Sequence, residues 1–152
     1  MPDIGEKAPD FALANQDGQT IRLSDFRGQR ILLFAYPKAA TPGCTKQACG
    51  LRDAHPQLQA ANALVFGISP DPPAVLKKWR EEESLPYDLL SDMNHQVLKA
   101  WGAWGEREMD GRKYMGVIRS HWLIDEDGAI EMAELDIQPA QSVERAHQLL
   151  LA

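Results

Sequence analysis

At 152 residues the chain is long enough for one domain with a substantial core, because a chain of this length buries roughly two-thirds of the surface it exposes when unfolded. Hydrophobic residues at 44% and charged residues at 25% are ordinary globular usage, which excludes an extensively disordered chain or a disulfide scaffold. A net charge of −6 offers no basic footprint to nucleic acid or to an anionic membrane, so neither partner is expected.

The opening MPDIGEKAPDF lacks the apolar stretch of a secretory signal. The longest apolar run, Ile31 to Tyr36, falls far short of the roughly 20 residues that cross a bilayer. A cytoplasmic location is expected, where thiols are kept reduced, so the two cysteines, Cys44 and Cys49, point to catalytic or redox work more than to a permanent bridge.

Along the chain, FALANQDGQTIRL carries an Asp17-Gly18 turn signal between two short extended stretches and predicts an N-terminal β-hairpin. Ile31 to Tyr36 is a continuous apolar run bounded by Gly28 and Pro37, the pattern of a strand covered on both faces, and Leu64 to Ser69 reads the same way. Between them, Ala48, Leu51, Ala54 and Leu58 mark a helix over residues 42–60. Further helices are expected from about Pro72 to Glu83 and from Asn94 to Trp101. Strands at Val117–Ile124 and Ala129–Leu135 flank Asp127-Gly128, a second hairpin signal, and an amphipathic helix from Pro139 to Leu151 closes the chain. The order predicts an α/β fold in one domain over residues 1–152, a central mixed β-sheet with helices on both faces.

The chemistry concentrates at Pro37-Lys38-Ala39-Ala40-Thr41-Pro42-Gly43-Cys44-Thr45-Lys46-Gln47-Ala48-Cys49. Thr41 before Pro42 is a helix start, a hydroxyl residue at the N-cap followed by proline at the first helical position. Cys44 then lies in the first turn, where unpaired N–H groups and the positive end of the helix dipole favour an anion. Cys49 follows five residues later, which on an intact helix sets the two Cα atoms about 8.6 Å apart and about 140° around the axis. A disulfide needs roughly 4.4–6.8 Å, so the thiols meet only if the first turns unwind. Two cysteines in one helix are also compatible with plain packing. Zinc binding lacks a histidine partner at the usual spacing, and the offset is not the C-x-x-C of thioredoxin-type reductases.

Pro37-x-x-x-Thr41-x-x-Cys44 resembles the P-x-x-x-T/S-x-x-C signature of peroxiredoxins, and TPGCT with a second cysteine at position 49 is similar to the bacterioferritin comigratory protein, or Q-type, branch. FGISPDPPAVLKKW, LPYDLLSD, WGAWGEREMDGRKYMGVIRS and WLIDEDG extend the resemblance over nearly the whole chain. It implies a thioredoxin-like fold and thiol-dependent reduction of hydrogen peroxide and organic hydroperoxides. By the same resemblance Cys44 is the peroxidatic cysteine, Thr41 hydrogen-bonds thiolate and peroxide, Pro37 shields the site from water, and Arg119 stabilises the thiolate and developing charge. Cys49 is the resolving cysteine. The implied partners are a hydroperoxide substrate and thioredoxin or a similar dithiol. The implied state is a monomer that admits a weak dimer.

The residues depart from the pattern at three places. Gln47 stands where the family commonly has glutamate, Ala39 and Ala40 replace polar residues before the threonine, and His121 lies two residues after Arg119, on the same face of a regular strand. His55, His95 and His147 read as solvated, Trp79, Trp101 and Trp104 as core or rim, and Glu81 to Glu83 as an exposed helix end. No glycine-rich phosphate loop is present and no cofactor is expected. Two other readings stand beside the two-cysteine peroxidase: a one-cysteine-style enzyme with an idle Cys49, and a peroxide-sensing or chaperone-like interaction protein.

Overall fold

A computed structural model describes residues 2–150. The chain opens with a hairpin, β1 (Ala12–Ala14) and β2 (Thr20–Arg22), closed by a turn in which Asn15 Oδ1 accepts the N–H groups of Asp17 and Gln19. A 3-10 turn at Leu23–Phe26 leads to β3 (Arg30–Ala35), α1 (Pro42–Ala60), β4 (Ala63–Ser69), α2 (Pro73–Glu82), β5 (Asp88–Ser91) and α3 (Gln96–Ala100). Then come β6 (Trp104–Met109), β7 (Arg112–Val117), β8 (Ser120–Ile124), β9 (Ile130–Leu135) and α4 (Pro139–Leu150). The predicted helix end at Leu151 lies outside the described residues.

The main sheet runs β2-β1-β5-β4-β3-β8-β9, with β3, β4 and β5 parallel and the other pairings antiparallel. Residues of β3 alternate between two cores, as a strand covered on both sides must. Leu32 and Phe34 join a core with α1, α2 and α4, whereas Ile31, Leu33 and Ala35 join one with α3 and the N-terminal segment. The four positions that marked the α1 helix, Ala48, Leu51, Ala54 and Leu58, are buried in the first core. α1 continues through Pro56, where the ring removes one backbone donor without ending the helix.

Three local features differ from the sequence reading. The run Val117–Ile124 is not one strand: it ends β7 at Val117 and resumes as β8 at Ser120. β7 pairs with β6 in a separate two-stranded sheet while β8 pairs with β3 and β9, so the chain changes sheets at Ile118-Arg119. Ser120 Oγ donates to the Ile118 carbonyl across the break. The β6–β7 hairpin itself, turning at Asp110-Gly111, and the short strand β5 were not read from the sequence. His55, expected to be solvated, is buried against Tyr87.

Candidate active site

α1 begins where the sequence marks it, although the Thr41 side chain makes no capping hydrogen bond. Thr41 is the N-cap with extended backbone, Pro42 occupies the first helical position, and the Thr41 carbonyl accepts the Thr45 N–H at 2.9 Å. The preceding loop is anchored from the segment just after β4: Asp71 Oδ2 accepts both the Ala39 N–H at 2.8 Å and the Ser69 hydroxyl at 2.9 Å. Ala40 holds φ at 65°, a left-handed conformation that costs a non-glycine residue about 1 kcal/mol or more. The turn that delivers the nucleophile is therefore strained and held in place from outside.

Cys44 is 1% exposed and sits in the core beside α4 and the sheet. Its Sγ lies 3.3 Å from Arg119 Nη2, and Nη1 of the same guanidinium donates to Gln47 Oε1 at 2.6 Å. Because a guanidinium only donates, the Gln47 oxygen is committed to Arg119, and its buried Nε2 has no partner among the described residues. Gly43 leaves room for this approach, since a Cβ there would meet Arg119 Nη2 at 3.3 Å. Arg119 is aimed by the sheet change itself: its carbonyl accepts the Ile137 N–H at 2.9 Å, which ties the break between β7 and β8 to the segment before α4.

Pro37 is exposed at the mouth of a cleft of about 340 Å³ that Gly43, Tyr114, Val117, Arg119 and Pro139 also line. The Thr41 hydroxyl donates to the Lys38 carbonyl at 2.7 Å, so in this state the sulfur of Cys44 takes its hydrogen bond from Arg119. Pro37, Thr41, Cys44 and Arg119 thus gather at one site. Cys49 does not share it. Its half-buried thiol faces the end of α2 and donates to Glu83 Oε2 at 3.3 Å; burial and that hydrogen bond push its pKa up. Both thiols are free.

His121 is fully buried, and its ring bonds to α4 and β9 rather than to the cysteine: Nδ1 meets Ser142 Oγ at 2.9 Å and Nε2 meets Glu134 Oε1 at 2.7 Å. Burial lowers its pKa, and the Glu134 contact opposes this without reversing it. Gln47 as the anchor of Arg119, Asp71 as the anchor of the loop and Glu83 as the partner of Cys49 were not read from the sequence. Only their positions in space identify them. Trp79 and Trp101 belong to the two cores, and Trp104 stacks on His95 with ring centroids 3.7 Å apart.

Residues 4–133 match the model of the AhpC/TSA family. Peroxiredoxin Bcp of Escherichia coli is 51% identical over 127 residues, which is 84% of this chain and 81% of that protein. Among solved structures, peroxidoxin BcpB of Mycobacterium tuberculosis superposes with a TM-score of 0.87 at 32% identity, over 99% of this chain and 97% of that one. The bacterioferritin comigratory protein of Xanthomonas campestris, at 23% identity, shares the fold with a TM-score of 0.90 over 98% of both chains. The chain belongs to the AhpC/TSA family, as a peroxiredoxin of the Bcp kind.

Proposed function

We propose that the chain, as one thioredoxin-like unit, reduces hydrogen peroxide and organic hydroperoxides with Cys44 as the attacking thiolate and Cys49 as the thiol that completes the cycle. The Arg119 fork carries this reading, because it sets a permanently charged donor beside a buried sulfur. The thiolate attacks the terminal peroxide oxygen; an S–O bond forms as the O–O bond breaks, and the alkoxide or hydroxide that leaves takes up a proton. A donor already aimed at that developing charge is the main catalytic contribution. Thr41 redirects its single hydroxyl proton from Lys38 to the bound peroxide, and Pro37 covers the mouth of the cleft.

The product is a sulfenic acid on Cys44, which condenses with the Cys49 thiol to a disulfide and releases water. With the thiols on different sides of an intact helix, the first turns of α1 unwind for this step. A dithiol such as thioredoxin then attacks the disulfide and restores both thiols through a mixed disulfide. The chain works as a monomer in a reducing compartment such as the cytoplasm. Among the described residues no helix is long and apolar enough to cross a membrane. Whole-chain mass analysis after one equivalent of hydrogen peroxide tests the cycle. Loss of two hydrogens at the monomer mass is expected, whereas a doubled mass places the bridge between chains and overturns the internal resolution.

A further inference from the structure

The part of α1 that must unwind is tied from one side by polar contacts. Trp79 Nε1 of α2 donates to Thr45 Oγ1 at 3.3 Å, and the Tyr87 hydroxyl donates to the Ala48 carbonyl at 2.6 Å. Beyond them, the Cys49 thiol donates to Glu83 Oε2 at 3.3 Å. Glu83 is the residue that ends α2, where the helix dipole is negative, and Arg52 Nη1 holds its carbonyl at 2.7 Å. The tie to Glu83 differs in kind from the other two. It needs a hydrogen on the Cys49 sulfur, and a disulfide has none.

We propose that Glu83 is a positioning residue for the resolving step: its carboxylate accepts the Cys49 S–H, keeps that sulfur in the thiol form on the far side of α1, and holds the helix wound while both cysteines are reduced. The proposal rests on the reading of Cys49 as the resolving thiol. In the reduced chain the contact opposes both requirements of resolution, release of the segment and loss of the thiol proton. Once the S–S bond forms, Cys44 gives up its hydroxyl, Cys49 its proton, and water departs. Glu83 then faces a sulfur that can only accept, so the contact cannot re-form until a dithiol reductant returns the proton. The fold of α1 is coupled in this way to the redox state of Cys49. The charged groups around that sulfur are Glu83, Arg52 and Asp53; Arg52 favours the thiolate, and the two carboxylates oppose it.

Glu83→Gln keeps the side-chain shape and removes the charge. Two readouts test it: the pH profile of Cys49 alkylation, measured in chains also carrying Cys44→Ser, and the rate of the second, disulfide-forming phase after rapid mixing of otherwise wild-type cysteines with stoichiometric peroxide. The alkylation midpoint is expected to move to lower pH, and the second phase to accelerate roughly fivefold to tenfold, the factor that one ordinary hydrogen bond is worth, because the glutamine oxygen still accepts while the charge is gone. Glu82→Gln, which changes the same charge on an exposed neighbour paired with Lys78, is expected to match the wild type in both. If Glu83→Gln leaves both readouts at wild-type values while the wild type forms its internal disulfide, the proposal alone is overturned. If the wild type forms no internal disulfide, the resolving role of Cys49 fails first and takes the proposal with it.

Discussion

Arg119 reaches Cys44 from 75 residues away in sequence, with Nη2 at 3.3 Å from the sulfur, and the same guanidinium holds Gln47 at 2.6 Å. The two ends of this fork do different work: one faces the nucleophile while the other fixes the angle. Lysine can supply the charge but not the rigid planar fork that presents two nitrogens to two acceptors. Arg119→Met is expected to slow oxidation of Cys44 by roughly a hundredfold to a thousandfold, and Arg119→Lys by an intermediate factor. Rapid-mixing tryptophan fluorescence at varied peroxide concentration reads the rate constant. A lysine variant as fast as the wild type would show that the second contact is idle.

Gln47→Glu would convert a neutral anchor into a carboxylate against the guanidinium and beside the sulfur. The new charge competes for Arg119 and opposes the thiolate, so the peroxide step is expected to slow roughly threefold to tenfold, the scale of one added like charge beside the nucleophile. The thiolate absorbance of the reduced chain against pH reads the same effect without substrate. No displacement of that curve sinks the idea.

Thr41 separates a structural role from a chemical one. Its hydroxyl donates to Lys38 in the reduced chain, and its backbone begins α1. Thr41→Ser keeps the hydroxyl and is expected to retain most of the rate. Thr41→Val keeps the shape but not the donor, and is expected to lose roughly a hundredfold, the scale for removal of one donor to a developing charge. Equal loss in both variants, with α1 less stable by circular dichroism, would make Thr41 a helix start and nothing more.

Cys49→Ser distinguishes the two-cysteine cycle from its rivals. Thioredoxin-coupled consumption of peroxide is expected to fall by at least roughly tenfold, because the sulfenic acid on Cys44 then has no partner within the chain. Undiminished coupled turnover would identify a one-cysteine enzyme. Slow turnover in the wild type as well, measured as NADPH loss with peroxide in excess, would favour the sensing or chaperone-like reading.

His121 predicts a dependence of stability on pH. Burial holds its pKa below the ordinary 6.5, so the folded chain favours the neutral ring. Between the depressed folded value and 6.5 the unfolded chain binds more protons, and the contribution to stability is complete above that window and lost as the pH falls through it. Denaturant midpoints are expected to fall on acidification below 6.5, with a smaller fall in His121→Phe than in the wild type. His121→Ala, which strands the buried Ser142 hydroxyl and opens a cavity, is expected to cost about 3 kcal/mol. Parallel wild-type and His121→Phe curves would place the pH dependence elsewhere.

Local sequence determined much of this protein. Thr41-Pro42 is a local signal for a helix start, so the first turn around Cys44 was legible, as were the period that buried Ala48, Leu51, Ala54 and Leu58 and the apolar runs of β3 and β4. The spacing of Cys44 and Cys49 also implied that they point in different directions, because helix geometry is local. Tertiary structure decided what each thiol faces. Apolar continuity made Val117–Ile124 look like one strand, but pairing partners are not written in a strand's own residues, and the chain changes sheets beside Arg119. Glu83 is an ordinary polar residue in the sequence and Gln47 only a departure from the family pattern; they acquire their roles because α2 ends against Cys49 and the break between β7 and β8 brings Arg119 over the start of α1.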